Sequence, residues 1–186
     1  MKIEIKNRWT GTVIFSHEIT GNTIAVTVHA AIKSAADLVY ADFRNADLGN
    51  ADLRGADLRG SVFINADLRW SDFSNADLGN ADLRGADLSG SVFINADLRG
   101  VNLRDSNLGG AKLISADLSD ADLSHADLRS SNLIGAKLIS SDLRNADLRG
   151  SDLRGANMTG SIMRRSDIYG TFFDINQIDA SLINFN

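Results

Sequence analysis

Side chains suited to acid–base or metal chemistry are few and scattered in this sequence. It contains three histidines, His17, His29 and His125, and no cysteine. None of the histidines stands at the spacing of a metal-binding or nucleophile-activating motif. The lack of cysteine excludes disulfides and thiolate metal sites. We therefore expect no enzymatic activity, no metal and no cofactor.

Aspartate is the one ionisable side chain that recurs regularly, as in Asp47, Asp52 and Asp57. Evenly spaced carboxylates raise the question of calcium, which prefers oxygen ligands. The glycine-rich nonapeptide that holds calcium in some repeat proteins is absent, which argues against such a site. Two interpretations remain: the carboxylates bind local backbone N–H groups and solvate the surface, or they form a functional acidic surface.

Charge and hydropathy narrow the class of partner. The formal net charge is −5, with +2 on residues 1–35 and −7 on the remainder. A negative body argues against direct binding to nucleic acid, which depends on clustered cations. No apolar run reaches the length of a membrane span, and the start lacks the apolar core of a signal peptide. We expect a cytoplasmic protein with no membrane partner.

The first 35 residues have the pattern of a small β cap. Apolar and polar residues alternate around Ile3 and Ile5 and again around Val13 and Phe15, which predicts a β-hairpin over residues 2–19. The alternation over residues 24–28 predicts a further strand. Residues 30–34 are suited to a single helical turn leading into the remainder of the chain.

From residue 36 to 186 the chain repeats every five residues. A large apolar residue stands at every fifth position from Leu38 to Ile183, giving 30 repeats in register. A small residue precedes it by two positions, as in the unit Ala51-Asp52-Leu53-Arg54-Gly55. A period of five fits neither a helix nor a flat strand, so the chain must turn at every unit. The Gly, Asn or Ser that often ends a unit suits such a corner.

These units resemble the pentapeptide-repeat family, whose pattern centres on Leu or Phe with Ala two positions earlier. The resemblance covers residues 36–185. It implies an all-β fold, a right-handed quadrilateral β-helix solenoid with four units per coil, here with the small N-terminal hairpin as its cap. The central and small residues would point inward, and residues twenty apart would stack. Phe43 would then stack on Phe63, and Phe73 on Phe93.

Because residues twenty apart would stack, the outward residues fall into separate faces of the rod. One face is the candidate acidic face, with Asn107 in its gap. It comprises Asp47, Asp67, Asp87, Asp127, Asp147 and Asp167. An adjoining face alternates arginine and aspartate, so that its charges largely cancel. Similar proteins that bind DNA gyrase are thought to imitate duplex DNA, which is the functional interpretation of the acidic face.

A third face carries outward aliphatic residues in a row, which we call the isoleucine stripe. It comprises Val92, Ile94, Ile114 and Ile134. Exposed aliphatics in such a row indicate a contact patch for a dimer or another protein, although they also fit a tolerated surface feature.

The C-terminal segment supplies a second set of apolar candidates for a dimer contact or a cap on the last coil. They are Phe172, Phe173, Ile175 and Phe185. In gyrase-binding relatives the C-terminal end forms the dimer. This sequence has neither a clear C-terminal helix nor the loop inserted between coils in the quinolone-resistance type, and both departures weaken that assignment.

The sequence therefore predicts a non-catalytic interaction or scaffold rod whose partner is another protein. The alternative is a DNA mimic that binds DNA gyrase or another type II topoisomerase. The near-perfect register also fits an idealised repeat without an evolved partner. The irregular C-terminus and the recurrence of residues 46–68 as residues 76–98 favour a natural one.

Overall fold

The computed structural model describes residues 1–21, 23–163 and 170–173, together with the backbone of residues 183–185. Short strands at both ends flank a long stack of five-residue units. In chain order the regular elements are β1 (Lys2–Asn7), β2 (Val13–Glu18), α1 (Ile24–Lys33), β3 (Ala41–Asp42), β4 (Ser161–Met163) and β5 (Ile183–Phe185).

The N-terminal hairpin is confirmed. Strands β1 and β2 pair antiparallel, with Ile5 opposite Phe15. The other edge of β1 pairs antiparallel with β3, the first strand of the repeats. The guanidinium of Arg8 donates a hydrogen bond to the carbonyl oxygen of Gly60 at 2.6 Å. The hairpin thus covers the edge that the first coil would otherwise leave unpaired.

The strand predicted over residues 24–28 is wrong, because this segment lies in helix α1. The Thr23 hydroxyl caps the helix by accepting a hydrogen bond from the amide of Val26 at 3.2 Å. Val28 and Ala31 are buried, whereas Val26 is exposed. The β-branched residues alternate as in a strand, but their burial follows the helical period, so packing against the first coils overrides their local preference.

The twenty-residue coil is confirmed by the pairing of units that lie twenty residues apart along the described repeats. Parallel bridges join Asp47 to Asp67 and then Asp67 to Asp87. The amide of Leu48 donates to the carbonyl of Asp67 at 2.8 Å, and the amide of Asp67 donates to the carbonyl of Ala46 at 2.9 Å. Each coil therefore satisfies its backbone groups through the coils above and below it.

A tight turn forms each corner. The amide of Ala51 donates to the carbonyl of Leu48 at 3.0 Å, which closes a turn around Asn50. The φ of Asn50 is 59°, in the left-handed region that Asn and Gly adopt most readily. This conformation explains why units end in Gly, Asn, Ser or Asp.

The interior of the rod is filled by the central and small residues of every unit. Leu48, for example, is completely buried. The predicted phenylalanine stacks are present: the ring centroids of Phe43 and Phe63 lie 4.9 Å apart, and those of Phe73 and Phe93 lie 4.8 Å apart. Phe63 also meets Phe73 edge to face, with the centroids 6.3 Å apart, which joins the two stacks into one aromatic cluster.

Candidate interaction faces

Four outward faces run along the rod, and each is defined by its first units. Face A begins with residues 41–45, face B with 46–50, face C with 51–55 and face D with 36–40, and each recurs every twenty residues. The central residue of each unit points inward, so a face displays the residues on either side of it. Any contact with a partner is made by these residues and by the corners.

The aspartate of a unit has a structural role that is the same on every face. Its Oδ1 accepts a hydrogen bond from the amide two residues later, as between Asp77 and Gly79 at 2.9 Å. Asn107 does the same with Gly109 at 3.0 Å. This contact satisfies an amide at the corner, which is why either side chain suits the position. Binding of local N–H groups, one of the two sequence interpretations, therefore has a direct geometric basis.

Where arginine stands two positions after the aspartate, the two side chains form a two-point ion pair. The Nε of Arg54 donates to Oδ1 of Asp52 at 2.8 Å, and its Nη2 donates to Oδ2 at 2.7 Å. These hydrogen bonds lower the pKa of Asp52 to about 2. A carboxylate held in this way is charged at neutral pH, but an adjacent guanidinium neutralises it.

Face B, the candidate acidic face, contains these pairs at three of its units. It carries five aspartates against three arginines over the described residues, a formal charge of −2. Hydrogen bonds from each arginine lower the pKa of its aspartate. The pairs are Asp67–Arg69, Asp127–Arg129 and Asp147–Arg149. Asp47 and Asp87 have no arginine in their own unit, and Asp167 lies outside the described residues.

Face D is more acidic than face B, which the sequence analysis missed. Five consecutive coils place an aspartate in one column, and Asp120 stands at a corner of the same face. With Arg59, Arg99 and Lys137 as the only cations of its described residues, the formal charge is −3. The column is Asp37, Asp57, Asp77, Asp97 and Asp117. The twenty-residue spacing of the sequence already contains this column, and the formal charge summed over each face identifies it.

The isoleucine stripe lies on face C, as predicted, in three successive coils. The amide of Asn95 donates to the carbonyl of Ile114 at 3.1 Å, and the amide of Ser115 donates to that of Ile134 at 3.0 Å. Val92 and the three isoleucines are half-buried. Three acidic and three basic residues give face C a formal charge of zero over the described residues.

The C-terminal candidates are only partly described. The side chain of Phe172 is 60% exposed, whereas Phe173 packs against the core. Ile175 lies outside the described residues, and Phe185 is described only as part of β5, which pairs parallel with β4. A dimer contact at this end therefore stays a prediction.

The histidines do not converge in the described structure. His17 lies on β2, His29 on α1 and His125 at a corner of face A, where its Nε2 lies 3.3 Å from Nδ2 of Asn145. Among residues 1–21, 23–163 and 170–173 there is no group of three or more histidine or acidic side chains placed to hold a metal ion. The described helix is too short to cross a membrane.

The coil geometry and the inward Leu and Ala define a right-handed quadrilateral β-helix built from five-residue units. The pentapeptide-repeat profile matches eight copies over residues 36–75, 71–110, 106–145 and 141–174. The chain belongs to the pentapeptide-repeat family.

Two solved structures are similar to this chain. One is HetL, a pentapeptide repeat protein involved in heterocyst differentiation regulation from the cyanobacterium Nostoc sp. strain PCC 7120. It shares 37% identity at a TM-score of 0.69, over 75% of this chain and 63% of HetL, so the match spans less than two thirds of HetL. The other is a trypsin-treated variant of QnrB1, a plasmid-mediated fluoroquinolone resistance protein, at 19% identity and a TM-score of 0.58 over 78% of this chain and 77% of QnrB1. No curated protein matches significantly.

Proposed function

We propose that this chain is a non-catalytic, cytoplasmic interaction rod that binds another protein through the isoleucine stripe on face C. The observation that carries the proposal is the position of the stripe: aliphatic side chains from three successive coils stand side by side on face C. Over the described residues this face carries six charged side chains, whereas faces A, B and D carry nine, eight and nine. Face C is thus the face that a partner can cover with the least loss of charge hydration.

A replacement of the stripe by threonine tests this proposal. In the Ile94→Thr, Ile114→Thr, Ile134→Thr variant the β-branched shape stays and the apolar surface is lost, so we expect binding to a partner to fall at least tenfold. The measurement is quantitative pull-down from the host lysate, followed by affinity measurement on the proteins recovered. Sedimentation of the purified chain tests the case in which the partner is a second copy.

The duplicated block supplies a matched control. Ile64 stands in the same local sequence as Ile94, Ser-Val-Phe-Ile-Asn, but on face A. Ile64→Thr should leave both the pull-down profile and the mass in solution unchanged. Retention of every partner and of the wild-type mass by the triple variant would refute a binding role for the stripe.

A second candidate is a DNA mimic that binds DNA gyrase or another type II topoisomerase. The observation that favours it is the unbroken aspartate column of face D, since regularly spaced negative charge is what a DNA-binding surface recognises. If it is correct, the purified chain at micromolar concentration inhibits supercoiling of relaxed plasmid by gyrase. The Asp77→Asn, Asp97→Asn, Asp117→Asn variant should lose that inhibition, and the threonine variant of the stripe should keep it. No effect of the wild-type chain would exclude this function.

A further inference from the structure

The corner between faces B and C contains a bulky residue in a backbone conformation that bulky side chains rarely adopt. Trp70 has a φ of 60°, in the left-handed region. Most corners with positive φ are Gly, Asn, Ser or Asp, which adopt this conformation more easily than a bulky side chain does. In the same column of corners, Asn50, Gly90 and Gly110 show what the position ordinarily accepts. Strain of this kind persists where the side chain is needed.

The backbone contacts of Trp70 give no reason for an indole at this corner. Its amide donates to the carbonyl of Ser89 at 3.0 Å, the same bond that other corners make. Tyr40, another bulky corner residue, also rests on a glycine one coil further along, since a Cβ on Gly60 would lie 2.4 Å from its Cε1. The carbonyl of Tyr40 in addition accepts the amide of Arg8 at 2.7 Å and so joins the cap to the first coil. Trp70 has no such role, and 67% of its surface is exposed.

Gly90, one coil further along, provides a seat for the indole. A Cβ atom on Gly90 would lie 2.4 Å from both Cε3 and Cζ3 of Trp70. Any side chain at position 90 would therefore displace the ring. The combination of an indole and a glycine twenty residues later fixes an exposed aromatic surface before any partner arrives, which lowers the entropic cost of binding.

Further along face B, in the coils that follow Gly90, lies a hollow of about 550 Å³. Its floor is the coil with Gly109 and Gly110, and a Cβ on Gly110 would meet no atom within 4 Å. Gly110 follows Gly90 by one coil, so the hollow begins one coil beyond the glycine on which the indole rests. Arg129 and Arg149 line the hollow from the next two coils.

The hydrogen-bonding groups of the hollow that have no partner in the described structure are donors. Asp127 already accepts from the amide, Nε and Nη2 of Arg129, and Asp147 accepts likewise from Arg149. The amides of Gly109 and Gly110 donate to Asn107 and Arg129. Within the described residues, Nη1 of Arg129 and Nη1 of Arg149 make no hydrogen bond, and both side chains are more than half exposed. A carboxylate is the group that such guanidinium edges bind best.

We infer that Trp70 and this hollow form a docking site for an extended segment of a partner protein that carries an aspartate or glutamate. An apolar part of the segment packs on the indole, and its carboxylate accepts hydrogen bonds from Nη1 of Arg129 and Arg149. Tryptophan and arginine are the residues that most often dominate the binding energy of protein interfaces. The hollow lies on face B and the isoleucine stripe on face C, so separate substitutions test the two.

The first test variant is Trp70→Asn, which removes the indole and relieves the strain at the same time. Because Asn occupies the same kind of corner at position 50, we expect a melting temperature equal to or above that of the wild type. The second variant, Gly109→Gln, fills the hollow with an uncharged side chain and so adds no new guanidinium for a carboxylate to bind. Tyr40→Phe, which keeps an aromatic ring at the other bulky corner, is the control.

The probe is a random dodecapeptide library displayed on phage, selected on the wild-type chain and counter-selected on Trp70→Asn. We expect enriched peptides that contain Asp or Glu. In fluorescence anisotropy with the synthesised peptides, the affinity should fall at least tenfold for Trp70→Asn, for Gly109→Gln, and for peptides whose carboxylates are replaced by amides. Tyr40→Phe and the threonine variant of the stripe should bind as the wild type does. No enrichment, equal affinity for Trp70→Asn, or equal affinity of the amide peptides would overturn the inference.

Discussion

At the scale of the residue, one aspartate per unit serves the fold before it serves any surface function. Its Oδ1 binds the amide two residues later, and arginine two positions later binds both carboxylate oxygens, as in Asp52–Arg54. The sequence predicted the local N–H contacts, because short polar side chains at turns commonly make them. Arginine also stands two positions after many of the aspartates in the sequence. The two-point geometry of the pair could not be predicted, since Arg54 can reach Asp52 or Asp72 and only the packed coils show that it prefers the nearer one.

The half-burial of the isoleucine stripe also lay beyond prediction at this scale. The position of Ile114 in its unit fixes that it points outward. How much of it remains exposed depends on the neighbours in the coils above and below. Here the residues in the same position of those coils are Ile94 and Ile134.

At the scale of the element, the repeat and the N-terminal hairpin were predictable and helix α1 was not. A five-residue period kept over thirty units requires a turn in every unit, and the resemblance to the pentapeptide-repeat family implies a coil of four such units. Each described coil adds the same kinds of inward residue and corner. Helix α1 has no such redundancy. Its ten residues contain Ile24, Val26 and Val28, whose alternation indicates a strand, and only contact with the core decides for a helix.

The uniform core predicts a high cost for a cavity in any middle coil. Leu103 is completely buried between coils of the same shape, which leaves little room for neighbours to collapse into a void. We expect Leu103→Ala to lower the free energy of unfolding by about 2–5 kcal/mol. Chemical denaturation followed by circular dichroism measures it.

The adjacent arginine is the control for this substitution. Arg104 is exposed and pairs only with Asp105 in the described structure. Its replacement by Ala should change the free energy of unfolding by less than about 0.5 kcal/mol. A similarly small effect of Leu103→Ala would show that the interior is loosely packed.

At the scale of the whole molecule, the four faces differ more than the repeat itself suggests. Every unit was visible in the sequence, and the same twenty-residue spacing that revealed the stripe also contained the aspartate column of face D. Face B was singled out because its aspartates form a nearly continuous column, whereas the net charges of the four faces were not compared. The arginines of face B reduce its charge, whereas face D keeps more of its own. A partner that recognises negative charge is therefore expected at face D.

The ion pairs distributed over these faces predict a shared dependence of stability on pH. Arginine hydrogen bonds hold the pKa of Asp52 at about 2 and lower that of Asp67, Asp127 and Asp147 in the folded chain. In the unfolded chain these groups return to about 3.9. The unfolded state therefore binds more protons in this interval, so acid favours unfolding. Stability should be fully present above about pH 4 and should decline as the pH falls toward about 2.

Thermal unfolding from pH 7 to pH 2 measures this decline. Because the pairs are exposed, each contributes little, and the effect comes from their number. The melting temperature should be nearly constant from pH 7 to pH 5 and should fall between pH 4 and pH 2. The Arg54→Gln, Arg129→Gln, Arg149→Gln variant no longer lowers the pKa of its three aspartates, so its melting temperature should fall less steeply over the same interval. A wild-type melting temperature that stays constant down to pH 2, or an equal slope in the variant, would show that the Asp–Arg pairs do not stabilise the rod.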